Sequence, residues 1–193
     1  MLNMSTAVRN NDLATYEAVT DETGPAMTWG MHAVGHLENE DEIKAAQLFN
    51  RSFANVQQPF AIWTETPTGG TTNFLTGAGG FLQTVTFGFT GLRIHDDSLR
   101  LRPKLIEGTT AMRVRGVHYR GHAFDVRYDR LQLELQLIEA SAEARCALCV
   151  SDEEGGTPQC LHSPGEIASF KLRANASTFA VRCIVHDDGS GGR

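Results

Sequence analysis

Between Asn73 and Leu92 the chain reads NFLTGAGGFLQTVTFGFTGL, twenty residues without one charged side chain. Read as a helix, this stretch carries apolar groups on every face: Phe74, Leu75, Phe81, Leu82, Val85, Phe87, Phe89 and Leu92. A helix of that kind is expected to be buried on all sides. A membrane span needs about twenty predominantly apolar residues. The length fits, but five glycines, four threonines and Gln83 make the segment too polar to insert. A phosphate cradle is the second alternative. GAGGFL resembles G-x-G-x-x-G but lacks the last glycine, and neither a P-loop lysine nor a βαβ unit accompanies it. What remains is a tightly packed helix, whose glycines let a neighbouring helix or a ligand approach the backbone.

Two more helices precede it. In GPAMTWGMHAVGHLENE the apolar residues Met27, Met31, Val34 and Leu37 recur at helical spacing, and Pro25 stands at the start, where proline is tolerated. In DEIKAAQLFNRSFANV the apolar face is Ile43, Ala46, Phe49 and Phe53, with Asp41 and Glu42 in the first turn to complement the helix dipole. After about Ile94 the texture changes. SLRLRPKL, AMRVRGVHYR, HAFDVRYD, LQLELQL, ARCALCV, EIASFKL and FAVRCIV are short, alternating and separated by turn-like intervals, an antiparallel β pattern. The expected fold is therefore α+β, with helices first and a small antiparallel β-sandwich after them. The boundary is placed between residues 93 and 94, the second domain over 94–186, and a disordered tail over 187–193.

A net charge of −6 and a pI near 5.6 argue against nucleic acid, since phosphate neutralisation needs clustered Lys and Arg. The opening residues are polar and lack the apolar core of a secretory signal, which favours a cytoplasmic location. Asn3, Asn50 and Asn175 stand in Asn-x-Ser sequons, which matter only if the protein is secreted. The four cysteines are Cys146, Cys149, Cys160 and Cys183. CALC has zinc-like spacing but no second such pair, and residues three apart on a strand point to opposite faces. Buried or free thiols are expected ahead of disulfides, with metal last. No cofactor or metal is called for.

Among candidate chemical groups, His32 and His36 form an i, i+4 pair, but the acid of a zinc-protease motif is absent. A packed or surface pair is the expectation. ENEDE reads as a solvated helix junction. Glu65, in WTET beside a turn, is the lone carboxylate next to the uncharged run.

The ordered series YEAV, GPAMTW, AVG, RSFANV, PFAIWTET and NFLTGAGGFLQTVTFGFTGLR resembles the C-terminal part of the acid-trehalase-like proteins of glycoside hydrolase family 65. The likeness is dense from Met1 to about Ile94; beyond it, pattern rather than identity carries the match. The resemblance implies that residues 1–93 are the last helices of an (α/α) barrel and that the β region is a small C-terminal domain. It also implies an inverting α-glucosidase, acting on α-1,2-linked glucosyl-galactosyl-hydroxylysine or a related α-glucoside. Glu65 matches the general base, which must be ionised to take a proton from water. The general acid would lie upstream of Met1, so the chain alone is expected to be inactive. Trp63 stands where it would either stack on a sugar or pack in the barrel. Thr76 and Gly77 fall where phosphorylases of the family hold phosphate. Here no histidine is near them, which favours water as the nucleophile over phosphate. A trehalase or disaccharide phosphorylase of the same family, or a non-catalytic carbohydrate-binding module, is the alternative. A carbohydrate is the expected partner; nucleic acid and membrane are not.

Overall fold

The computed structural model describes residues 4–141, 143–173 and 177–185. The expected tail over 187–193 and the sequons' Asn3 and Asn175 lie outside them. Backbone contacts divide the chain into two compact units, one ending at Gly91 and one beginning at Leu92. No helix among the described residues is long and apolar enough to cross a membrane.

The first unit holds four helices and a small sheet. Helix α1, Thr6–Val19, begins at Ser5, whose hydroxyl accepts a hydrogen bond from the Val8 N–H. It buries no residue, and its polar sequence offers no apolar stripe to read. Helix α2 spans Met27–Glu38 and α3 spans Glu42–Ser52, the latter capped by Asp41 through the Lys44 N–H. Their buried faces overlap those expected only in part: Leu37, Ala46 and Phe49 are buried as expected. Trp29, Ala33 and Leu37 of α2 and Ala45, Leu48 and Phe49 of α3 are buried, whereas Met31 and Ile43 are exposed. Three short antiparallel strands follow: β1, Val56–Gln57; β2, Ile62–Thr66; and β3, Gly69–Thr72.

The uncharged run forms α4, Leu75–Gln83, which continues as a π-helical segment, Thr84–Phe89. Three threonines supply a local cause for the widening. The hydroxyls of Thr84, Thr86 and Thr90 each donate to the carbonyl four residues back, at Gly80, Leu82 and Thr86, competing with the ordinary helical ladder. Phe81 and Phe89 close an aromatic cluster around Phe49, with ring centroids 5.2 and 5.0 Å away. The opposite face is open: Leu75 is 83% and Leu82 62% exposed. The expectation of burial on all sides is thus corrected, because this unit offers neighbours to one face only. The glycines do admit a close neighbour. A Cβ on Gly30 of α2 would stand 2.6 Å from Thr84 Oγ1 and 3.4 Å from the Gly80 carbonyl oxygen, so the two helices touch through bare backbone.

The second unit is built from two antiparallel sheets. One has the order β10-β9-β12-β5-β4, with β4 Arg93–Ile94, β5 Leu99–Leu101, β9 Ala147–Asp152, β10 Gln159–Leu161 and β12 Phe179–Ile184. The other has the order β11-β8-β7-β6, with β6 Ala111–Tyr119, β7 His122–Asp129, β8 Gln132–Ala140 and β11 Ile167–Lys171. Both contribute to one core. Leu133, Leu135 and Leu137 point inward from β8, Phe124, Val126 and Tyr128 from β7, and Leu148, Val150, Phe179 and Val181 from the facing sheet. Burial pushes the Tyr128 phenol well above its ordinary pKa. A bulge in β6 is fixed by Asp125, whose carboxylate accepts from the Gly116 N–H at 2.9 Å and from Arg113 at 2.7 Å. Those bonds hold the Asp125 carboxyl below its ordinary pKa, the Gly116 N–H foremost.

The cysteines overturn the expectation of free thiols. Cys149 and Cys160 are directly opposed across β9 and β10 and form a disulfide; Cys146 and Cys183 form a second. The two cysteines of CALC do face different ways, and each meets a partner on a different neighbouring strand.

Candidate functional site

Glu65 sits on β2, beside the turn that the sequence marks. The strand is held on one side by Asn55, whose amide donates to the Glu65 carbonyl at 3.0 Å and whose own carbonyl accepts from the Thr64 hydroxyl at 2.8 Å. On the other side Thr66, Pro67, Thr68 and Gly69 turn the chain into β3, with the Thr66 hydroxyl donating to the Gly69 carbonyl at 3.1 Å. The register shifts between Thr64 and Thr66, so Glu65 sits at an irregular step of the hairpin.

That hairpin folds back over the glutamate. The Thr71 N–H donates to Glu65 Oε2 at 3.2 Å. Gly70 has φ +78°, a left-handed conformation that favours glycine, and a Cβ there would stand 2.9 Å from Glu65 Oε2 and 3.0 Å from Glu65 Cβ. A bare backbone at position 70 therefore lets the half-buried carboxylate lie against β3. Sequence reasoning singled out Glu65 but not Gly70, Thr71 or Asn55. The signal was the Gly-Gly pair four and five residues after an isolated acid, at the far end of a Pro-containing turn.

Trp63, two residues before Glu65, packs edge-on against Phe81 with centroids 5.5 Å apart. Its carbonyl accepts from the Phe74 N–H at 2.9 Å, which ties β2 to the start of α4. Gly77 lies under the indole: a Cβ there would be 2.9 Å from Trp63 Nε1. That nitrogen is buried and finds no acceptor among the described residues. Trp63 and Gly77 are thus brought together. Thr76 is exposed in the first turn of α4, and Glu65 turns toward Gly70 and Thr71.

The histidine pair is engaged within the fold. His32, 8% exposed, meets the Thr20 hydroxyl at 3.2 Å, and burial lowers its pKa, with the charge of Glu17 opposing the shift. His36 Nε2 lies 2.9 Å from the Glu17 carboxylate and its Nδ1 3.4 Å from that of Asp41.

Residues 92–154 match the model of the glycosyl hydrolase family 65 C-terminal domain. The chain thus carries a glycosyl hydrolase family 65 C-terminal domain. It is 44% identical over 168 residues to a protein-glucosylgalactosylhydroxylysine glucosidase of Danio rerio, covering 86% of this chain and 25% of that protein. To the protein of the same name in Dictyostelium discoideum it is 47% identical over 139 residues, covering 72% of this chain and 20% of the relative. The chain therefore spans a fifth to a quarter of the length of these relatives. Its fold is similar to part of a solved human-microbiome protein described as a kojibiose phosphorylase, with a TM-score of 0.64 at 15% identity, over 89% of this chain and 23% of that one.

Proposed function

We propose that this chain is the part of an inverting α-glucosidase that carries the general base. In this reading residues 1–93 are the last helices of an (α/α) barrel and residues 94–186 a C-terminal β-sandwich domain. The substrate is a glucosyl-galactosyl-hydroxylysine, as the names of the relatives suggest, and we infer an α-1,2 linkage, or a related α-glucoside. The observation that carries the reading is the seat of Glu65: a lone, half-buried carboxylate with one oxygen fixed by the Thr71 N–H and its back against Gly70.

In an inverting hydrolysis one carboxylic acid protonates the leaving oxygen while a second carboxylate takes a proton from water on the opposite face of the sugar ring. Glu65 takes the second role. With Oε2 held by backbone, Oε1 receives the water proton and the orientation of the carboxylate is set before substrate arrives. The first role falls to a residue of the longer protein, so the isolated chain is inactive. Trp63 borders the sugar site, with Gly77 leaving room for its indole and Thr76 offering a hydroxyl. The exposed Leu75 and Leu82 support a barrel, whose remaining helices would cover them.

A phosphorylase is the second reading, favoured by the solved protein of similar fold. Against it stands the segment around Thr76, which has no histidine to hold phosphate. The test uses a chimera in which this chain replaces the matching segment of the Danio rerio relative. Proton NMR of the glucose first released from glucosyl-galactosyl-hydroxylysine, whose aglycone is not glucose, should show the β-anomer, and added phosphate should give no glucose 1-phosphate. Early α-glucose would rule out inversion, and phosphate-dependent cleavage would replace hydrolase with phosphorylase.

A further inference from the structure

Away from Glu65, the β unit brings three metal-ligating side chains together. A ring nitrogen of His122 and the sulfurs of Cys146 and Cys183 all lie within 4.8 Å of one another. They come from separate strands: His122 opens β7, Cys146 directly precedes β9, and Cys183 is on β12. The imidazole is 3% exposed, so its position is set by the surrounding fold rather than by solvent. Its Nε2 lies 3.1 Å from the Cys146 carbonyl and 3.9 Å from the Cys146 sulfur. Its Nδ1 is buried and has no hydrogen-bond partner among the described residues. His122 and Cys146 also line an open cleft of about 680 Å³.

We propose that, once the Cys146–Cys183 disulfide is reduced, His122, Cys146 and Cys183 bind a divalent cation of the zinc class, with the fourth position open to the cleft. The donor set of one imidazole and two thiolates is one that zinc takes, and three protein ligands with an open fourth position is a stable arrangement for it. The distances agree. Zn–S bonds of about 2.3 Å and Zn–N bonds of about 2.0–2.1 Å in a tetrahedron put sulfur and nitrogen about 3.6 Å apart and the two sulfurs about 3.8 Å apart. The observed nitrogen-to-sulfur distance of 3.9 Å is already close to that, and breaking the S–S bond frees the sulfurs to separate.

The chemistry balances. A dithiol delivers two electrons and two protons to the disulfide and is itself oxidised to a disulfide. The two resulting thiols release their protons as the thiolates take the metal. His122 keeps one proton, which passes to Nδ1 as Nε2 turns from the Cys146 carbonyl to the cation. The pairing is selective. The second disulfide, Cys149–Cys160, is not part of this cluster. Of the CALC motif only Cys146 takes part, so the zinc-like spacing in the sequence is not what makes the site.

The test is a cobalt titration of the full chain. The oxidised chain should give no thiolate-to-cobalt charge transfer. The phosphine-reduced chain, freed of phosphine, should bind one Co²⁺ with the charge-transfer and visible bands of a tetrahedral thiolate site, and Zn²⁺ should displace it. Cys149→Ser with Cys160→Ser should leave the spectrum intact. Cys183→Ser should remove much of the charge-transfer intensity, and His122→Gln should weaken binding at least about tenfold. Circular dichroism checks that each variant is folded, and His122→Cys, which restores a ligand, should recover binding if His122→Gln loses it. A reduced chain without thiolate charge transfer overturns the proposal. So does equal affinity in folded His122→Gln, or a requirement for Cys149 and Cys160.

Discussion

Gly30→Ala should destabilise the helical unit, against the usual rule for alanine in a helix. Replacing a helix-interior glycine by alanine ordinarily gains about 0.5–1 kcal/mol from backbone entropy. At position 30 the new Cβ would be 2.6 Å from Thr84 Oγ1 and 3.4 Å from the Gly80 carbonyl oxygen. Thr84 has little room to yield. It is fully buried, and its hydroxyl is bonded to the Gly80 carbonyl at 2.8 Å. Overpacking of this kind costs about 1–3 kcal/mol, and loss of the Thr84 bond about 0.5–1.5 kcal/mol more. The net is a loss of about 2 kcal/mol, within limits of about 0.5–4 kcal/mol. Gly79→Ala is the matched control: it is also inside a helix, and its Cβ would meet nothing within 4 Å, so it should stabilise by about 0.5–1 kcal/mol. Both tryptophans, Trp29 and Trp63, lie in this unit, so urea unfolding followed by their fluorescence reads it alone. With m near 1 kcal/mol/M for a unit of this size, the Gly30→Ala midpoint should fall by about 1 M or more while that of Gly79→Ala rises. If the two variants shift together in the stabilising direction, the helices do not meet through the bare backbone at Gly30.

The Cys149–Cys160 disulfide closes a loop of 11 residues and Cys146–Cys183 one of 37, which chain-entropy arguments make worth about 3 and about 4 kcal/mol. Hydrogen exchange across β7 and β8 should speed up on metal-free reduction, and unchanged protection would count against both cross-links. His32 has its folded pKa lowered by burial, so the unfolded chain takes up that proton first. Stability supplied by neutral His32 is full above the unfolded value of 6.5 and is lost as pH falls through the folded value. Tryptophan-monitored unfolding should show this slope in the parent and a flatter one in His32→Gln; identical slopes would refute it. In the chimera, Gly70→Ala forces a side chain onto Glu65 Oε2 at a φ of +78°, and should lower kcat at least about tenfold with little change in KM. A normal kcat would show that Gly70 does not position the glutamate.

The β-strands were legible wherever one face is buried against a core. LQLELQL alternates because Leu133, Leu135 and Leu137 point inward and their neighbours do not. Helices α2 and α3 were legible from their apolar spacing, though not which residues lead each face. Met31 and Ile43 fit the helical period and are nevertheless exposed, since period alone does not say where the neighbouring helix lies. Helix α1 was invisible because it buries nothing. The sheet around Glu65 was also invisible: strands of two to five residues broken by proline and glycine carry too little alternation to detect. The disulfides were misjudged for a related reason. Cys149 and Cys160 are 11 residues apart in sequence, and only the β9–β10 register sets them face to face. Glu65 itself stood out as a lone acid beside an uncharged run, but Thr71 and Gly70, which hold it, belong to a turn marked in the sequence only by Pro67 and the Gly69–Gly70 pair.

If Glu65 takes the proton from the attacking water, steady-state kinetics of Glu65→Gln in the chimera must register its loss. Glutamine keeps the shape and can still accept from the Thr71 N–H, but it is no longer a base. The kcat should fall about 10²–10⁴-fold, equivalent to about 3–5 kcal/mol of barrier, with KM nearly unchanged because the base acts on water and not on the sugar. A folded Glu65→Gln chimera that turns over at close to the parental rate would contradict it.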